Sequence, residues 1–170
     1  MSRRLQAALV TLMPEFRAFA RSVSLNPADA EDLVQDAVER ALQARGAPSE
    51  VPALRRWMFR VIRNLNVDEL RKRRVRREYY TAQTRLYDEA PASPDVARDT
   101  LVRIAFDTLP PATREILFLI DVMGFRYVEA AEVMEVPVGT VMSRLSRARR
   151  VMCEKMAGPA EAVPQRKVTR

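Results

Sequence analysis

The sequence predicts an all-α protein: two small helical domains joined by a flexible linker. Three observations carry this expectation. Apolar residues recur at spacings of three and four along several segments. No segment alternates apolar and polar residues between Gly-rich turns, as a sheet would. Between two periodic halves lies Ala90-Pro91-Ala92-Ser93-Pro94, which cannot continue a helix.

The first helix is expected over residues 5–21, with Leu5, Leu9, Leu12, Phe16 and Phe19 on one face. Asn26 can cap the second, with Pro27 at its first position and Asp29 in its first turn. Its apolar stripe is Leu33, Val34, Ala37, Val38, Ala41 and Leu42, and Gly46 and Pro48 end it. A third helix, over 51–77, carries Leu54, Trp57, Met58, Val61, Ile62, Leu65 and Leu70 on one side, with arginines gathering towards its end. Residues 78–96 form the linker; about 19 residues of such chain span roughly 25 Å on average and about 60 Å when taut, so the flanking domains can bind separated sites. Helical pattern resumes over 95–108, breaks at Pro110-Pro111, restarts over 112–123 and ends at Gly124. A short helix over 127–134, a tight turn at Glu135-Val136 and a longer helix opened by Pro137 and running to 156 complete the second domain. The expected organisation is therefore 1–77, linker 78–96, 97–157, and a tail at 158–170 with no helical pattern.

Composition narrows the function. The 29 Lys and Arg against 22 Asp and Glu give a net charge of +7, which points first to a polyanion such as nucleic acid and second to an anionic membrane surface. No membrane insertion is expected, because no apolar run approaches the roughly 18–20 residues a span requires. The N-terminus also lacks a signal-peptide cleavage region, so the expected location is cytoplasmic. With no histidine and a single cysteine, Cys153, the usual zinc sites, His-based triads and an internal disulfide are excluded. The carboxylates fall on solvated helix faces without a phosphate loop or nucleophile beside them, so neither catalysis nor a metal nor a cofactor is expected. Cys153, late in the last helix, reads as a packing residue rather than a redox switch.

The charge is arranged in blocks. Residues 55–77 hold ten Arg or Lys and two acids, a net of +8, so the rest of the chain carries −1. Residues 28–39 hold Asp29, Glu31, Asp32, Asp36 and Glu39 and no base. The first domain thus presents two faces of opposite sign.

In the second domain, small Ala130 and Ala131 permit close helix approach, and Met134, Val136, Val141 and Leu145 are spaced to fill the angle between the last two helices. That leaves Thr140, Ser143, Ser146, Arg147 and Arg150 outward, a polar and positive face. This is a helix-turn-helix whose second helix enters the major groove, its N-terminal residues meeting base edges and its arginines neutralising phosphates. The competing reading is that Arg144, Arg147, Arg149 and Arg150 only solubilise the end of a bundle.

Pro137-Val138-Gly139-Thr140-Val141-Met142-Ser143-Arg144-Leu145-Ser146-Arg147-Ala148-Arg149, preceded by Leu109-Pro110 and Arg114-Glu115, resembles the second DNA-binding domain of extracytoplasmic-function sigma factors, a branch of the sigma-70 family. The first domain is similar to the same family through Asp29-Ala30-Glu31-Asp32-Leu33-Val34-Gln35-Asp36, Trp57-Met58-Phe59-Arg60-Val61-Ile62-Arg63-Asn64 and Asp68-Glu69-Leu70-Arg71. The resemblance implies a dissociable RNA polymerase subunit that binds promoter DNA, its first domain opening the -10 element and its second reading the -35 element. It places Asp29, Glu31, Asp32, Gln35, Asp36 and Glu39 against the clamp helices of the polymerase largest subunit, and implies the flap as a further contact on core polymerase. It places Arg60, Arg63, Asn64, Asp68, Arg71, Lys72 and Arg74 at the -10 and melting region, and Thr140, Met142, Ser143, Arg144, Ser146, Arg147 and Arg150 at the -35 element. It also implies an anti-sigma factor as antagonist in a stress or envelope response. Trp57 could stack on a base but reads better as core, as do Met58 and Phe59.

Two positions depart from the family pattern. Met142 stands where members frequently carry Lys or Arg. Glu135 occupies a turn position where helix-turn-helix proteins often use Gly, and a left-handed backbone there costs on the order of 1 kcal/mol. Two other functions share some of these features: a stand-alone helix-turn-helix regulator, for which no dimerisation helix is visible, and a mimic that sequesters other regulators, against which the intact basic blocks argue.

Overall fold

A computed structural model describes residues 3–24, 26–80 and 97–157. Among these residues the chain is helical without strands: α1 (Arg3–Val23), α2 (Pro27–Gln43), α3 (Val51–Tyr80), α4 (Ala97–Asp107), α5 (Pro111–Leu117), a π-helical turn at Phe118–Val122, α6 (Tyr127–Met134) and α7 (Val138–Met156). Most of the expected linker and the whole tail lie outside the described residues.

Local chemistry explains the boundaries. The Asn26 backbone is extended and its side-chain oxygen accepts the Asp29 N–H at 2.8 Å, while Pro27 opens α2 where its missing N–H costs nothing. Helix α1 is longer than the periodicity suggested and contains Pro14. That proline is on the exposed side, where water can serve the carbonyl it leaves without a donor. The segment after Pro110 is not one regular helix: the Met123 N–H donates to the Phe118 carbonyl five residues back, at 2.8 Å, which widens the last turn. Gly124 then takes φ +68°, and the Phe125 N–H returns to the Leu119 carbonyl.

Helices α1, α2 and α3 pack on one another, and α4, α5 and α6 each pack against α7. The two bundles also pack together, through α1 on α5 and α3 on α6. The core is continuous across that joint because phenylalanines from both sides meet there. Phe59 lies 4.6 Å from Phe19 and 5.2 Å from Phe125 between ring centroids, and Phe19 lies 5.8 Å from Phe118. Met58 and Phe59 are fully buried, as their position in the stripe suggested, whereas Trp57 is only partly buried against the core. Cys153 corrects the sequence reading: it is exposed, while its neighbours Val151 and Met152 are the residues of that turn that pack against the core.

Candidate nucleic-acid interface

The angle between α6 and α7 is set by a two-residue turn. Glu135 ends α6 in the left-handed region, φ 54° and ψ 46°, and its N–H closes onto the Ala131 carbonyl. Val136 follows with a bond to the same carbonyl at 3.2 Å, and the Pro137 carbonyl accepts from Thr140 and Val141 to start α7. At the start of α6, the Glu129 carboxylate accepts the Arg126 N–H at 2.9 Å; this bond, then the Arg126 and Arg56 charges, hold Glu129 below the usual carboxylate range.

With Ala130, Ala131, Met134, Val141, Leu145 and Ala148 buried in the angle, the opposite side of α7 is turned out. Met142, Ser143, Arg144, Ser146, Arg147 and Arg150 are exposed and Thr140 half-buried, so all seven residues expected at the -35 element share an accessible helix. The Ser143 hydroxyl donates back to the Thr140 carbonyl at 3.0 Å, and Arg150 lies 3.7 Å from Glu154. Met142 is 53% exposed, an uncharged apolar side chain among cations. Arg149 has a different task. It grips Asp121 of the π-turn at 2.5 and 3.2 Å, which raises its pKa and anchors α7 to the preceding element.

The acidic helix α2 divides. Asp32, Gln35, Asp36 and Glu39 are exposed on one side, Glu39 accepting from Gln43. Asp29 is held by both terminal nitrogens of Arg73, and Glu31 by Arg17 and Arg21 at 3.2 and 3.3 Å. Arg73, which sequence reasoning did not single out, also bonds Glu69, and these two carboxylates, Asp29 first, push its pKa up.

Helix α3 divides as well. Arg71, Lys72, Arg74 and Asp68 are exposed, Asp68 standing 3.8 Å from Arg71. Asp68 and Lys72 line, with Asp32, Asp36 and Arg40 of α2, a groove of about 300 Å³, so residues expected to serve polymerase and promoter meet along one cleft. Arg60 and Asn64 are half-buried. Arg60 lines a smaller cavity of about 190 Å³ with Trp57, Arg56, Ala53, Pro48 and, from α6, Glu132. Arg63 is turned to the other bundle, bonding Glu115 at 2.6 Å and Asn64 at 3.2 Å. Burial raises the Glu115 pKa, opposed by the Arg63 charge.

Sequence reasoning missed Arg55 and Arg56. Arg55 bonds Glu15 and the Met123 carbonyl, and its guanidinium sits 4.5 Å from the Phe125 ring centroid. Arg56 pairs with Glu129 at 3.2 Å and Glu132 at 3.4 Å. Arg114 is buried, with bonds to the Asp107 and Ser24 carbonyls and no partner for its Nε among the described residues. Burial lowers its pKa. No helix among the described residues is long and apolar enough to cross a membrane, and none of their acids and cysteines cluster as a metal site.

Comparison with known proteins gives the same two units. Residues 9–76 match the family Sigma-70 region 2, and residues 101–152 match Sigma-70, region 4. The chain is similar to the ECF RNA polymerase sigma factor EcfG of Rhodopseudomonas palustris, 36% identical over 144 residues, covering 83% of this chain and 78% of that one. It is similar to the ECF RNA polymerase sigma-E factor of Haemophilus influenzae, 30% identical over 149 residues, covering 80% and 78%. Among solved structures it is similar to the sigma factor RpoE of Bartonella quintana, determined in complex with the anti-sigma factor NepR. That likeness has a TM-score of 0.74 at 29% identity, covering 92% of this chain and 99% of the other.

Proposed function

The chain belongs to the sigma-70 family as an extracytoplasmic-function sigma factor, and from that premise we propose how its surfaces divide the work of promoter recognition. The protein makes no bonds itself; core RNA polymerase supplies the catalysis. The exposed carboxylates of α2, Asp32, Asp36 and Glu39 with Gln35 beside them, receive the basic partner surface on polymerase. Charge complementarity there favours fast docking in one register rather than most of the affinity. Asp29 and Glu31 stand beside these residues with their charges already met within the chain.

The outward face of α7 reads the -35 element as duplex, with Thr140, Met142, Ser143 and Ser146 towards base edges and Arg144, Arg147 and Arg150 towards phosphates. The basic face of α3 serves the -10 element. Extruding a base from the stack costs a few kcal/mol, offset by pocketing it and holding the strand's phosphates. Asn64 and Asp68 belong to that pocket in this assignment, with Arg60, Arg63, Arg71, Lys72 and Arg74 on the strand. The likeness to a sigma factor solved with an anti-sigma factor supports control by an antagonist of that kind, acting in a cytoplasmic stress or envelope response.

The observation that carries this assignment is the separation of signs: a carboxylate face on α2 and cation faces on α3 and α7, each on its own helix. The test is the double substitution Asp32→Lys and Asp36→Lys in the full chain. It should weaken binding to core polymerase at least about tenfold and leave duplex binding unchanged. Unchanged affinity for core would place the polymerase surface elsewhere.

A further inference from the structure

The exposed side chains of α7 fall into rows at helical spacing. Ser143, Arg147, Arg150 and Glu154 run down the side opposite the buried Val141, Leu145 and Ala148, and Met142, Ser146, Arg149 and Cys153 run down one edge of that side. The first row carries two of the cations that the preceding assignment directs at phosphates. The edge row carries one, Arg149, and it is already engaged. Its Nε donates to one oxygen of Asp121 at 3.2 Å and a terminal nitrogen donates to the other at 2.5 Å, a two-point pairing between residues 28 positions apart. Asp121 belongs to the π-helical turn at Phe118–Val122, a kind of turn frequent at functional sites.

Both partners keep an open side, Arg149 52% and Asp121 37% exposed, so a phosphate brought to the guanidinium is brought to the carboxylate as well. The pair has no net charge. If Arg149 turned to a phosphate, one charge-assisted bond would replace another and a bare carboxylate would be left beside the DNA strand. Isolated exposed pairs add little to folding stability; the effect on DNA comes from the summed charge of the pair and not from the strength of its bond. With Met142 and Ser146 uncharged, the whole edge adds no counterion release to duplex binding. Non-specific binding is almost entirely attraction to phosphates, whereas sequence is read at base edges. A free cation at this rim would hold the helix in wrong registers, where nothing else fixes its pose. In the right register base contacts already fix the pose, and little of that gain is realised.

We propose that Asp121 is a specificity-determining residue of the duplex interface: it withholds Arg149 from the phosphates, so that α7 grips the backbone elsewhere on its outward side and keeps the edge of Met142 and Ser146 for reading bases. The inference rests on the assignment of α7 to duplex DNA.

The test uses the full chain carrying Asp121→Asn, Arg149→Gln or both, on a duplex that the unmodified protein enriches from a random pool and on a scrambled duplex of the same composition. Binding is measured across a salt series. Asp121→Asn should steepen the log–log salt dependence on the scrambled duplex by about 0.9, the change of one added phosphate contact, and cut the preference for the enriched duplex at least about threefold. Arg149→Gln alone, which leaves the carboxylate bare, should make the slope shallower, and the double variant should return to the unmodified slope, because a neutral pair has replaced a cancelled one. An unchanged slope or an unchanged preference in Asp121→Asn overturns the inference. So does a double variant whose slope is shallower by about 0.9, which would mean that Arg149 already holds a phosphate. Asp121→Glu keeps the charge and should keep the slope; a steeper slope there would make shape rather than charge the cause and overturn the inference as well. Should Asp121→Asn lose helical circular dichroism, the double variant, which leaves neither charge alone, carries the decision. Arg147→Gln separates the two levels. A slope shallower by about 0.9 retains α7 on the duplex even where Asp121→Asn changes nothing, and an unchanged slope removes the assignment and the inference together.

Discussion

Arg73 closes on Asp29 through both terminal guanidinium nitrogens, at 2.8 and 2.7 Å, tying the first turn of α2 to the far half of α3. Asp29 also receives the Asn26 side-chain amide at 2.9 Å, so a single carboxylate stabilises the helix start and the helix pair. The side chains are 22% and 32% exposed, which moderates the strength of the pair.

Asp29→Ala should therefore cost about 1–3 kcal/mol of folding stability, by chemical denaturation. Affinity for core polymerase, measured where the variant is folded, should change far less than with Asp32→Lys. A selective loss of polymerase binding at unchanged stability would make Asp29 a contact residue after all.

Glu135 holds a left-handed backbone, which a side chain with a Cβ adopts at a penalty. Glu135→Gly should raise stability by about 1 kcal/mol and leave duplex binding intact. A net loss of stability would mean that the gain in chain entropy on unfolding outweighs the strain relieved in the turn.

Glu129 titrates below the usual range because it accepts the Arg126 N–H and lies among arginines. A carboxyl depressed in the folded state contributes stability above its unfolded value, near 4.3, and loses that contribution as pH falls through the folded value. Glu129→Gln should cost about 0.5–1 kcal/mol at neutral pH, and the difference from the unmodified protein should shrink below about pH 4. A penalty independent of pH would show that shape, not charge, is what the position supplies.

Met142 leaves an apolar gap in the cation face of α7. Met142→Lys should steepen the salt dependence of duplex binding by about 0.9 in log–log slope, the change expected of one added phosphate contact. An unchanged slope would place this side chain away from the backbone and over the bases.

What could be read from the sequence follows from the range of the interactions involved. The cap of α2 was legible because Asn26 and Pro27 act within a few residues, and the outward face of α7 because small and apolar residues recur at helical spacing. Glu135 was legible as a conditional, strained if left-handed, and the turn is left-handed. The joint between bundles was not legible. Periodicity marks Phe19 as inward-facing and Phe59 reads as core, without saying that they share one interior with Phe118 and Phe125. A run of arginines cannot reveal that the partner of Arg56 is Glu129, 73 residues away. The π-turn depends on a bond five residues back that no local motif announces.

In the proposed role, this chain directs polymerase to promoters through two DNA-facing helices, α3 and α7. Run-off transcription with purified core polymerase on a genomic promoter pool, with and without the protein, tests it most directly. New start sites that appear only when the protein is added are the expected result. Good binding to core polymerase with no new start site would rule this role out.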